Sequence, residues 1–240
     1  MTTTCAAVRF RPFDTRALLP AGKPNAVVRA LVAKFPVITF DELMHKGAPS
    51  KHKPDCDSLE GCLLSVSEDP DAWDEIVRGL KGQVWTVRLA DSPFRLIAMR
   101  RIRGAVRRSL REVGISLGLI RKAAGYRISW WDEDDGATRY ITVSGKREAD
   151  SEMQEEGRTL TKQDLYIATP KLARYWGLRH GKSDLGERDA DEALVAYLAE
   201  WTGTHHGLWW QDAYAPERLA CPRGGLFQSV LARLEVASAD

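Results

Sequence analysis

CLLSVS, residues 62–67, is the stretch whose reading decides the fold of this chain. It reads as a strand, and side chains alternate across a strand, so Ser65 and Ser67 share one face while Val66 points the other way. Asp69 and Pro70 then suit a helix start, and DAWDEIVRGL (71–80) makes a short amphipathic helix closed by Gly82. Upstream, the stretch from Gly47 to Ser58 is rich in Lys, Pro, Ser and Asp; it cannot bury itself and is expected to rim a cleft. Earlier still, Val27, Val28, Leu31, Val32 and Phe35 stand at helical spacing until Pro36 hands over to an extended VITF at 37–40. Pro12, Pro20, Gly22 and Pro24 keep residues 1–25 from forming a long regular element, and they are expected to lie over the domain as an N-terminal arm.

Downstream, VWTVRLA (84–90) alternates as a half-buried strand. LIAMRRIRGAVRRSLREVG (96–114) carries Arg100, Arg101, Arg103, Arg107, Arg108 and Arg111 between apolar residues, the pattern of a basic amphipathic helix. YRISWWDEDDGATRYITVSGK (126–146) holds two alternating runs around an acidic turn with Gly136, a β-hairpin. READSEMQEEGR (147–158) reads as an exposed connection, and LYIATPKLARYWGL (165–178) as a strand or turn leading into a short helix. ADEALVAYLAEWTG (190–203) places Leu194, Tyr197, Leu198 and Trp201 on one side of a helix that Gly203 stops. Short strands interleaved with short helices, without βαβ regularity, point to an α+β class.

With 240 residues, one domain is the default, and 44% hydrophobic with 28% charged residues suffices for a core and a soluble surface. A net charge of +2 by itself implies neither nucleic acid nor membrane. No apolar run approaches the roughly 18 residues of a membrane span. The four scattered cysteines (Cys5, Cys56, Cys62, Cys221) read as reduced thiols, so a cytoplasmic protein is expected.

Two stretches carry candidate chemistry. LMHKG (43–47) followed by the serine strand offers His45 with Ser65 and Ser67; a solvated serine face and a histidine satisfying a backbone carbonyl are the plainer alternative. THHGLWWQDAYAPERLACPRGG (204–225) sets Trp209 and Trp210 beside Gln211 and Asp212. Adjacent tryptophans on a strand face opposite ways, so one can anchor the core while the other offers a stacking surface for a planar base.

The early strand ending in His45-Lys46-Gly47, the EG-x-LLSVS strand (60–67), Trp73 in the following helix and a late G-x-W-W strand resemble, in order and spacing, the ADP-ribosyltransferase superfamily. The resemblance implies a split antiparallel β core with short helices, in which residues 92–185 form an insertion containing the basic helix and the central hairpin. It implies NAD as substrate: His45 and Gly47 at the ribose, Ser65 and Ser67 supporting the pocket, Trp73 or Trp210 stacking on nicotinamide beside Gln211, and Asp212 as the late acidic residue. Cleavage of the ribose–nicotinamide bond passes through an oxocarbenium-like state that a carboxylate stabilises, the role open to Asp212. Arg223, in the Pro-Arg-Gly-Gly turn, suits a phosphate, with the glycines letting backbone approach; a surface ion pair is its alternative. Asp212 stands where the family has a glutamate, and no tyrosine follows the serine strand.

The implied roles are a transferase, in the setting of a toxin or anti-defence effector of a mobile element, or an inactive member of the fold acting as a protein-binding or inhibitor module. A third reading, independent of the resemblance, is nucleic-acid binding through Arg100, Arg103, Arg107, Arg108 and Arg111. His45, His52, Cys56 and Cys62 match no metal-ligand spacing, so no metal is expected.

Overall fold

The computed structural model describes residues 19–46, 63–68, 84–134, 136–175, 187–211 and 222–238. The expected helix at 71–80 with Trp73, the loop at 47–58, all four cysteines and most of the N-terminal arm lie outside these.

Leu96 and Ile97 are neighbours in sequence and both fully buried, which an amphipathic helix edge does not allow. They belong to a strand, Phe94–Ala98, covered on both faces. The expected helix over 96–114 is corrected accordingly: strand to Ala98, a 3-10 turn at Met99–Arg101, and a helix only from Gly104 to Ser116.

In chain order the strands are β1 (Val37–Phe40), β2 (Leu43–Lys46), β3 (Leu64–Ser67), β4 (Val84–Leu89), β5 (Phe94–Ala98), β6 (Ile120–Asp132), β7 (Ala137–Val143), β8 (Thr159–Ala168), β9 (Gly207–Gln211), β10 (Pro222–Leu226) and β11 (Leu234–Ser238). The helices are α1 (Ala26–Val32), α2 (Gly104–Ser116), α3 (Lys146–Glu152), α4 (Pro170–Tyr175) and α5 (Glu187–Thr202). The chain is of mixed α+β class. One sheet runs β1-β5-β9-β10-β3-β2-β4-β11, antiparallel throughout except for the β5–β9 pair. A second, three-stranded sheet runs β7-β6-β8.

The second sheet contains the expected hairpin, with Tyr126 opposite Val143 and Asp132 opposite Ala137. β8 pairs along β6 from Ile120–Ala168 to Ser129–Thr159. The stretch expected as an exposed connection forms helix α3, because Ala149 is apolar and packs on Ile128 and Val143 as a small separate core. Lys146 supports the helix by pairing with Asp150 one turn on.

Helix α5 is buried on every side: Ala193 through Ala199 have no exposed surface. Alanines at 190, 193, 196 and 199 make this possible, since they let neighbouring elements close on the helix from more than the one side the sequence suggests. Gly203, at φ 66°, ends it, donating its N–H to the Ala199 carbonyl at 3.0 Å. At the other end of the described chain, Asn25 caps α1 by accepting the Val28 N–H at 2.9 Å. Because β5 lies between β1 and β9, and α2 packs into the same core, residues 94–116 are built into the main body rather than set apart from it.

Candidate functional site

The main sheet joins the two distant stretches. β9, β10, β3 and β2 are consecutive neighbours, although β2–β3 and β9–β10 are separated by about 140 residues of chain. Their register sets Trp210 opposite Arg223, Arg223 opposite Ser67, and Ser67 opposite Met44, a row crossing four strands. Side chains in such a row share a face, so Ser65 and Ser67 lie on the Trp210 side. His45, one residue beyond Met44, faces the other way, in line with Trp85 and on the same side as Trp209. Three strand spacings, about 14 Å, separate β2 from β9.

His45 is 6% exposed, and its Nδ1 donates to the Ser65 carbonyl at 2.8 Å. A carbonyl can only accept, so Nδ1 carries the proton. Ser67 is fully buried, while Ser65 is half-buried.

Neither tryptophan of the Trp209-Trp210 pair is an open stacking platform. Trp209 packs on Phe40 with ring centroids 4.5 Å apart. Trp210 is 6% exposed, with its indole N–H donated to Glu192 at 3.0 Å. The glycines of the Pro-Arg-Gly-Gly segment also serve packing rather than ligand approach. A Cβ on Gly224 would stand 2.6 Å from the Trp209 ring, and one on Gly225 would stand 2.7 Å from the Leu63 side chain. Tryptophan lying over glycine on the next strand explains both residues at once. Gly47, Trp73 and Asp212 lie outside the described residues, as do the side chains of Gln211 and Arg223.

A cleft of about 330 Å³ opens beside Trp210. Arg100 and Arg103 line it from the segment leading into α2, Arg107 from α2 itself, and Asp191 and Glu192 from α5. Met99, Ile102, Leu110 and Val195 form its apolar wall. Asp191 is held by two guanidinium groups: Arg107 Nε at 2.6 Å, and Arg111 through Nε at 3.0 Å and Nη2 at 2.8 Å. Arg111 also stacks on Tyr166, 4.2 Å from the ring centroid. Two of the five arginines considered for nucleic acid are therefore engaged inside the fold, while Arg100, Arg103 and Arg108 are exposed.

Asp191 and Glu192 gave no signal in the sequence, where two acids near a helix start read as partners of the helix dipole. Glu200, buried and bonded to the Tyr175 hydroxyl, was equally hidden, since its spacing on the helix says nothing about a tyrosine from another element. Elsewhere, His205 and His206 are both buried. Burial, then the nearby charges of Arg95 and His206, push the His205 imidazole down to about 4. His206 is also lowered, chiefly by burial, and its Nδ1 accepts the Arg95 N–H at 3.0 Å. No helix among the described residues is long and apolar enough to cross a membrane.

Compared with protein-family models, with curated proteins and with solved structures, the chain matches none.

Proposed function

We propose that the chain is an ADP-ribosyltransferase-like protein that binds NAD or a related nucleotide across strands β2, β3, β10 and β9. The observation that carries this reading is their adjacency: the histidine strand, the serine strand and the tryptophan strand come from opposite ends of the sequence and lie side by side in one sheet. The register turns His45 to the face opposite Ser67 and Trp210, so in this reading His45 is a positioning residue, donating to the Ser65 carbonyl at 2.8 Å and holding the serine strand from behind. Arg223, whose backbone lies on the row between Trp210 and Ser67, is the residue proposed to meet a phosphate.

One observation favours a second reading, a member of the same fold that binds without turnover. Among the described residues the row across β9, β10, β3 and β2 contains no carboxylate, so the charge that would stabilise an oxocarbenium-like state has to come from Asp212. The experiment is a melting curve with and without NAD, followed by an assay of nicotinamide release. A ligand that binds only the folded chain raises its melting temperature. Release by the wild type and its loss in Asp212→Ala support the transferase; a raised melting temperature without release supports the inactive binder. Neither effect at millimolar NAD removes both readings.

A further inference from the structure

The cleft beside Trp210 has three guanidinium groups against two carboxylates, and both carboxylates are engaged. Asp191 is shared by Arg107 and Arg111, and Glu192 accepts from the Trp210 indole. The indole N–H is neutral and leaves the Glu192 charge in place, so the lining carries a net +1, and Arg100 and Arg103 are the cations not committed to Asp191. Arg100 is exposed and forms no ion pair among the described residues. Arg103 donates its Nε to the Arg100 carbonyl at 2.8 Å, which orients the guanidinium, and among the described residues the rest of its donor fork has no partner. Open guanidinium forks match the oxygens of a phosphate in a bidentate way.

Size narrows the ligand. Sites for small molecules run from about 300 to 1,000 Å³, and a cleft of about 330 Å³ lies at the bottom of that range. A whole dinucleotide does not fit, whereas a phosphate ester with a modest apolar or planar body does. Met99, Ile102 and Val195 supply the surface against which that body would pack.

We propose that this cleft binds a small organic phosphate, of mononucleotide size or smaller, through Arg100 and Arg103. The site is built by the 3-10 turn, α2 and α5, and it stands whether or not the central strands take NAD.

The test is titration of the full chain with AMP, with inorganic pyrophosphate and with adenosine, read by calorimetry and by melting temperature. AMP and pyrophosphate are expected to bind and adenosine not to, because the phosphate supplies the recognition. Arg100→Glu and Arg103→Glu are each expected to weaken AMP binding by about ten- to a hundredfold, the scale of one lost charged hydrogen-bond pair. Arg121→Glu, the same charge change at an exposed position on β6, is expected to leave it unaltered. Should the reversals disturb folding, Arg100→Gln and Arg103→Gln remove the charge at similar length and read the same loss. No binding of AMP or pyrophosphate at 10 mM by about physiological salt, equal binding of adenosine, or AMP binding indifferent to both arginines would each overturn the assignment. AMP binding that survives both reversals overturns this site and leaves an NAD response of the central strands intact; AMP binding lost on both reversals, without any NAD response, does the reverse.

Discussion

His205 is 5% exposed and stands next to Arg95, His206 and the Thr204 hydroxyl, which its Nδ1 meets at 2.9 Å. Its imidazole is held at about 4 in the folded chain against 6.5 for an ordinary histidine, so between these values the unfolded chain carries a proton that the folded chain does not. Stability from this group is therefore complete above about pH 6.5 and declines as pH falls, levelling off below about pH 4. From pH 7 to pH 5 the loss is on the order of 2 kcal/mol, by the factor of about 1.4 kcal/mol per pH unit. His206 adds to the same direction, since its pKa is also lowered and protonation at Nδ1 would break its bond from the Arg95 N–H. Urea unfolding at pH 7 and pH 5 measures the slope, and His205→Gln, neutral at both, is expected to flatten it. An unchanged slope in that variant would show that the imidazole titrates freely in the native state.

Between α2 and α5 the link is an ionic one laid on an apolar contact. Asp191 is buried, the Arg111 side chain is only 16% exposed, and Arg107 is closer to solvent at 43%. Removing the carboxylate strands the Arg111 charge in a poorly hydrated place, so Asp191→Ala is expected to cost about 3–5 kcal/mol in urea unfolding. Arg111→Met in the same chain should recover much of that, because an apolar side chain of similar length no longer needs a counter-charge. If the double variant is no more stable than the single one, the brace is not what holds these helices. The same pair shows where sequence reading at the level of elements reaches its end. The hairpin of β6 and β7 was legible because Tyr126, Ile128 and Trp130 alternate with Arg127 and Ser129 before an acidic turn, although Trp131 and Tyr140 are exposed aromatics. β5 was not, because a strand buried on both faces has no alternation to display, and the arginines after it extended a helical pattern backwards into Leu96–Ala98. Helix α3 was missed for the opposite reason: only Ala149 of its seven residues is buried, too little apolar surface to make a period.

At the scale of the whole molecule, the sequence placed its candidate site in two stretches that the main sheet does set side by side, but it could not tell which face each residue takes. That depends on register between strands about 140 residues apart, which no local pattern encodes. His45 and Ser67 therefore came out on opposite faces, and the paired tryptophans turned inward because Gly224 lies opposite Trp209 to receive its ring. The sheet also ties its middle to its last strand. β2, which carries His45, pairs with β4, and β4 is held on its other side by β11. Leu234 and Val236 of β11 are buried, and five consecutive residues pair with β4 from Leu234–Leu89 to Ser238–Trp85. Ending the chain after Arg233 removes both side chains, each stabilising by about 1.5–3 kcal/mol, and leaves the β4 backbone groups without their partners. The loss of about 3–6 kcal/mol from burial alone is a large part of the 5–15 kcal/mol that keeps a domain folded. For a chain of this size it corresponds to a fall in melting temperature of about 6–24 °C. Thermal unfolding of residues 1–233 against the full chain, followed by circular dichroism, measures it. A fall of under about 3 °C would mean that β11 is an appendage and that β4 holds the His45 strand without it.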